Sequence, residues 1–219
     1  MPIIALRPDK ARKATSQCRK PAGWFGQLTL WSMNRRHSKL TDWGLQQVSI
    51  GPSDAILDVG CGGGRTVAKL AARAAAGRVH GVDFAPASVV VSRRTNRQAV
   101  EAGRVAIEEA SVSALPFAPD TFDLVTAIET HFWWQSLGDG AREIFRVLKP
   151  GGTFVIVAEF YNGGRHARYA ERLGRITGMA ALDVAQHRAI FTDAGFADVR
   201  TVEDAGRGWI CGIGTKPTR

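Results

Sequence analysis

The chain has no apolar run approaching the roughly 18 residues that a membrane-spanning helix needs, so a soluble protein is expected, although 45% of its 219 residues are apolar. Cysteine is scarce. Cys18, Cys61 and Cys211 are widely spaced and odd in number, which gives neither a disulfide framework nor metal-ligand spacing and fits a reducing cytoplasm. No metal site is expected. Acids are nearly missing from residues 1–39, where nine Lys or Arg stand against Asp9 alone. That stretch carries +8 of the formal net charge of +9, so the remainder is almost neutral. A basic leader of this kind can hold RNA, anionic lipid or an acidic partner, and is otherwise a solvated tail. Its apolar run, Ile3 to Leu6, is shorter than the roughly 7–15 residues of a secretory core. Being Arg-rich and acid-poor, the leader leaves an organelle-targeting reading open.

What is present suits one α/β domain with a full core. Residues 1–20 read as a flexible leader and 21–219 as the domain. Residues 21–50, with Trp24, Trp31 and Trp43, read as a helical cap that packs on a larger body or forms a lid over a ligand. Beyond Gly51-Pro52 the chain alternates strands and helices: strands at Ala55–Val59, Arg78–Asp83, Val105–Glu108, Phe122–Ile128 and Thr153–Ala158, helices at Thr66–Ala76, Pro86–Ala102 and Leu137–Leu148. Such alternation predicts a mostly parallel, doubly wound sheet with helices on both faces. Residues 163–182 read as a basic helical insertion over the sheet edge. A helix over Asp183–Ala194 and a hairpin of Ala197–Val202 and Trp209–Lys216 complete the chain.

The chemistry begins at Asp58-Val59-Gly60-Cys61-Gly62-Gly63-Gly64, a strand that runs into a glycine loop opening a helix. A Cβ there would keep a ligand from the backbone. A dinucleotide fingerprint would place its third glycine at position 65, which is Arg65. The spacing therefore suits a ligand without a pyrophosphate. Asp83 ends the second strand about 20 residues on, where a carboxylate can accept both hydrogen bonds of a ribose diol.

These residues, with Ala114-Leu115-Pro116-Phe117, Thr121-Phe122-Asp123-Leu124-Val125 and Arg146-Val147-Leu148-Lys149-Pro150-Gly151-Gly152, resemble the ordered motifs of class I S-adenosylmethionine methyltransferases. The likeness is strongest to the small-molecule branch of quinone and sterol methylases. The resemblance implies a Rossmann-like seven-stranded sheet whose last strand is antiparallel. It implies S-adenosyl-L-methionine as cofactor, with Asp58 reaching its amino group directly or through water. Gly60, Cys61 and Gly62 would lie along its methionine and ribose, Asp83 on the diol, Phe84 and Val112 against the adenine, and Ile128 at the end of the fourth strand beside it. Relatives often carry an acid where this chain has Ser111.

Methyl transfer from a sulfonium is an in-line displacement, helped chiefly by positioning and by a base where the acceptor must lose a proton. His131 is a candidate base, since imidazole titrates near neutrality, and Glu129 a candidate for orienting the methionine amino group or the acceptor. Cys61 has no nearby His in sequence to activate it and reads as a small residue fitting the turn. The expected function is methyl transfer to a small or lipid-like acceptor by a cytoplasmic monomer or homodimer, with nucleic acid an unfavoured partner. The alternative is an RNA or protein methyltransferase that uses the basic leader. Against it, an Asn-Pro-Pro-Tyr signature and a Pro-Cys pair are both missing after the fourth strand.

Overall fold

The computed structural model describes residues 37–218; the leader and positions 21–36 of the expected cap lie outside them. Seven strands, β1 (Ala55–Val59), β2 (Arg78–Asp83), β3 (Val105–Glu109), β4 (Phe122–Ile128), β5 (Leu148–Ala158), β6 (Ala197–Asp204) and β7 (Trp209–Thr215), form one sheet in the order β3-β2-β1-β4-β5-β7-β6. The pairs among β1 to β5 are parallel, and β7 is antiparallel to both β5 and β6. The strand order reverses between β1 and β4. In open α/β sheets the connections diverge at such a point and leave a crevice at the carboxyl ends of the strands.

Side chains of β1 alternate between two apolar layers. Ile56 packs with Val67, Leu70 and Ala71 of α2 (Arg65–Arg73) and with Leu40 of α1 (Ser38–Leu45). Leu57 and Val59 pack on the other face, with the layer that holds Phe191. Burial of the sheet on both faces explains why its central strands are nearly continuous in apolar residues.

The expected helix over Pro86–Ala102 is two, α3 (Pro86–Thr95) and α4 (Arg97–Glu101). The break falls at Asn96, which is 5% exposed. Its side-chain amide donates to Gly64 O and Ser92 O, both at 2.9 Å. The interruption therefore ties the glycine loop to α3. β5 also begins five residues earlier than expected. Phe122 pairs with Leu148 and Leu124 with Thr153, so the Lys149–Gly152 turn is taken up as a bulge inside the strand.

Helices α5 (Leu137–Val147), α6 (Ala167–Thr177) and α7 (Val184–Thr192) follow β4 and β5. The basic insertion contains α6, whose Ala170 and Leu173 pack on Phe132, Ala158, Phe160, Tyr161 and Ile210. It thus covers the carboxyl end of β5 and the start of β7, while Arg168, Arg172 and Arg175 face outward. Helix α7 opens with a capping box between Asp183 and Gln186.

Phe191 of α7 is fully buried, 4.9 Å in ring centroids from Phe154 and 5.8 Å from Phe196. Gly212 and Gly214 of β7 leave room for it; a Cβ on either would stand 2.8 or 2.7 Å from its ring. Phe191→Ala is expected to lower unfolding stability by about 3–5 kcal/mol, read as a lower urea midpoint with an unchanged m-value.

Candidate active site

A cleft of about 350 Å³ opens where β1, β2 and β4 end. Its floor is the glycine loop. Gly60 N–H and Cys61 N–H donate to Val82 O at 2.8 and 3.0 Å, which folds the loop across the end of β2. Gly60 has φ +71°, and a Cβ on it would stand 2.1 Å from Thr130 Oγ1. Gly64 caps α2 with φ +79°, and its Cβ would meet Ser92 and Asn96 instead. The first of these glycines lets the loop approach the β4 wall; the second lets α2 approach α3.

Asp83 holds this floor from the side. Its Oδ2 accepts from Gly62 N–H and its Oδ1 from Ala85 N–H, both at 2.9 Å. Burial pushes its carboxyl up, opposed by the two backbone N–H groups and the Ser88 hydroxyl. Phe84 beside it is 42% exposed and lines the cleft, as do Ser111 and Val112 opposite. Ser111 Oγ accepts from Ser113 N–H at 3.3 Å.

The β4 wall holds Ile128, Glu129, Thr130, Trp133 and Trp134. Glu129 has φ +59°, a left-handed conformation that costs a non-glycine residue on the order of 1 kcal/mol. Its N–H donates to Val157 O at 2.9 Å, and its Oε1 accepts from Glu159 N–H at 2.5 Å. Its Oε2 lies 3.9 Å from His37 Nε2, which lies 3.9 Å from Glu159 Oε2 as well. An imidazole between two carboxylates gives this end of the cleft groups that can hold or pass a proton.

Of the sequence candidates, Gly60, Cys61, Gly62, Asp83, Phe84, Ser111, Val112, Ile128 and Glu129 all line the cleft. Asp58 and His131 are not among the residues that line it. Asp58 is 2% exposed, between β1 and β4, and accepts from Thr126 Oγ1–H at 2.7 Å. It therefore braces two strands beneath the loop. Burial pushes its carboxyl up to about 7, with the Thr126 hydrogen bond opposing and the Asp83 charge adding. His131 is 1% exposed and turns its Nε2 to His187 Nε2 at 3.2 Å. Burial first, then His187, holds its imidazole well below the usual range, so it is a neutral ring packed away from the cleft.

The Cys61 thiol is pushed well above the usual range by burial and then by the charges of Asp83 and Asp58. That agrees with the reading of it as a small residue rather than a nucleophile. Sequence reasoning missed His37, Gly63 and Thr41. His37 and Thr41 belong to the start of α1, so the possibility that the cap lines a pocket was the signal that could have found them.

A sequence family described as a methyltransferase domain matches residues 57–156. That match covers just under half of the chain. It is 26% identical over 167 residues to the uncharacterized methyltransferase YdaC of Bacillus subtilis, covering 76% of this chain and 84% of that one. It is 32% identical over 117 residues to a ubiquinone/menaquinone biosynthesis C-methyltransferase of Geotalea daltonii, covering 52% of this chain and 48% of the other. Against that relative, then, the chain spans about half the length. The chain also shares its fold with geranyl diphosphate C-methyltransferase of Streptomyces coelicolor, with TM-score 0.71, 16% identity and coverage of 90% and 86%. Among the described residues no helix is long and apolar enough to cross a membrane.

The state of Asp58 makes stability depend on pH in a definite direction. A carboxyl at about 7 in the folded chain and near 3.9 unfolded binds more protons when folded. Its contribution is favourable at acid pH and is lost as pH rises from about 4 to 7. Asp58→Asn keeps an acceptor for Thr126 and removes the buried charge. The variant is expected to be more stable than wild type at pH 8, by roughly 1–4 kcal/mol, with the gap narrowing as pH falls and closing only below about pH 4. Thermal melts across that pH range check this.

Proposed function

We propose that this chain is an S-adenosylmethionine-dependent methyltransferase acting on a small or lipid-like acceptor. The observation that carries the reading is Asp83, a carboxylate at the end of β2 that fixes Gly62 N–H at 2.9 Å in a cleft lined by both. The fit is chemical as well as spatial. About 350 Å³ lies within the roughly 300–1,000 Å³ of small-molecule sites. Asp83 spends its oxygens on two backbone N–H groups and the Ser88 hydroxyl, and an ionised carboxylate offers about four acceptor positions. Capacity for a ribose hydroxyl therefore remains. Phe84 and Val112 offer apolar surface to a purine, and Gly60 to Gly63 let a ligand lie against bare backbone.

The bound donor supplies an electrophilic methyl group on a sulfonium. The residues of the chain orient and enclose. Trp133 and Trp134 give one side of the cleft apolar surface. Glu129 and His37 face the same space, and with Glu159 they form the group that would receive a proton from an acidic acceptor. This reading gives the base role to the His37 end of the cleft and withdraws it from His131. The relatives named for quinone and terpenoid substrates support a small-molecule acceptor.

Calorimetry with S-adenosylmethionine and S-adenosylhomocysteine tests the reading. Both are expected to bind, and Asp83→Ala is expected to weaken both by about 10- to 100-fold, the loss of one or two hydrogen bonds to a charged group. Unchanged affinity in that variant refutes the assignment. Release of S-adenosylhomocysteine over a panel of phenols, amines, thiols and carboxylates then identifies the acceptor class.

A further inference from the structure

His131 and His187 are each 1% exposed, and neither lines the cleft. They come from segments 56 residues apart. His131 opens the 3₁₀ turn His131–Trp133 after β4, and His187 lies in the first half of α7. Their hydrogen bond has only one neutral arrangement. His187 Nδ1 lies 2.7 Å from Asp183 O, and a carbonyl only accepts, so Nδ1 carries the proton. His187 Nε2 is then a bare acceptor, and the 3.2 Å contact requires the proton on His131 Nε2. That leaves His131 Nδ1 as a buried acceptor with no hydrogen-bond partner among the described residues.

The turn that His131 opens supplies Trp133 and Trp134 to the cleft. Besides its own bonds, Trp133 N–H to Thr130 O and Trp134 N–H to His131 O, it is held from outside by Ala180 N–H donating to Phe132 O at 3.2 Å. The histidine pair is the second outside tie. We propose that His187 is a positioning residue: through the single hydrogen bond it accepts from His131, it fixes the tryptophan wall of the cleft against α7. A buried polar contact with one unsatisfied atom is costly to keep, and the wall is what it holds.

The tie exists only while both rings are neutral. A proton on His187 Nε2 would set two donors against each other. A proton on His131 Nδ1 would put a charge where no acceptor stands. Burial lowers both rings from the ordinary imidazole range; His187 adds to the effect on His131, and Asp183 opposes it on His187. Asp183 faces His187 from the helix start. Glu129, two residues before His131, directs its carboxylate toward His37 and Glu159 N–H. Arg188, next to His187 on α7, is exposed. Because the folded-state values are depressed, the contact is intact above the unfolded imidazole value of about 6.5 and is lost only as pH falls through the lower folded-state values.

Nitrogen-15 NMR of the full chain reads the tautomers directly. The expected result is a proton on Nε2 of His131 and on Nδ1 of His187 at pH 7.5; the opposite tautomer on either ring overturns the proposal. The indole N–H signals of Trp133 and Trp134 are expected to shift in His187→Leu and to return toward wild type in His187→Gln, whose carbonyl can accept from His131. S-adenosylhomocysteine is the binding probe. Its affinity is expected to fall about tenfold in His187→Leu at pH 7.5, and in wild type to fall only at a pH below the ordinary imidazole range, with a flatter profile in His187→Gln. Wild-type affinity and unshifted indoles in His187→Leu refute the positioning role. If that variant does not fold, the wild-type tautomers and pH profile decide. If the probe does not bind wild type at all, the donor assignment fails while tautomers and indole signals still judge this one.

Discussion

The architecture of the cleft depends on one carboxylate. Asp83 stands at the last residue of β2 and takes hydrogen bonds from Gly62 in the loop after β1 and from Ala85 at the start of α3. Without it, two backbone donors in a mostly buried loop would lack partners, and the crossing of the loop over β2 would rest on Val82 O alone. An acid in this position is expensive to bury, and its raised carboxyl reflects that. The backbone N–H groups offset the cost by favouring the ionised form. The result is a fixed anion at the edge of an open cleft, pre-set for hydroxyl donors before a ligand arrives.

Around that anion the loop glycines divide their work. Gly60 is bare because the β4 wall at Thr130 stands too close for a side chain, and Gly64 because Ser92 and Asn96 do. Asn96 connects the two requirements. By ending α3 and donating to Gly64 O, it converts a helix break into support for the floor of the site. The cleft thus rests on the strand-order reversal between β1 and β4, on Asp83 and on this buried amide, each set by a different part of the chain.

Much of this was legible in the sequence. The bounds of β1, β2 and β4 follow from short apolar runs ended by Gly or Asp, and the hairpin of β6 and β7 from the Gly206 to Gly208 turn between them. The loop and Asp83 were readable because spacing alone brings successive strand ends together in a βαβ unit. Asp58 and His131 lie off the cleft for a shared reason. Period-two alternation says that Asp58 and its neighbours face opposite sides, but not that its side is sealed by Thr126 of β4. His131 follows β4 at the correct edge, yet a 3₁₀ turn rotates it toward α7 and leaves Trp133 and Trp134 in the cleft. His37 was invisible for the complementary reason: tertiary packing of α1, not local pattern, carries it to Glu129 and Glu159. The bulge at Lys149–Gly152 fell outside the strand expected at Thr153–Ala158 because Pro-Gly-Gly has the same local chemistry in a bulge and in a turn.

Two buried titrations in the domain run in opposite directions. Asp58, pushed up to about 7, favours the folded chain toward acid, whereas His131 and His187, both lowered, disfavour it there. The sheet and the wall therefore do not respond to acid as one body. Asp58 lies between β1 and β4, in the middle of the sheet, and becomes easier to bury as pH falls. The histidines join a three-residue turn to a helix by one hydrogen bond, and that bond weakens once pH falls through their lowered values. Local opening free energies follow the density of such ties. The opposite signs thus act on different parts of the cleft: acid works against the tie behind the tryptophan wall and in favour of the floor built on β1, β2 and β4.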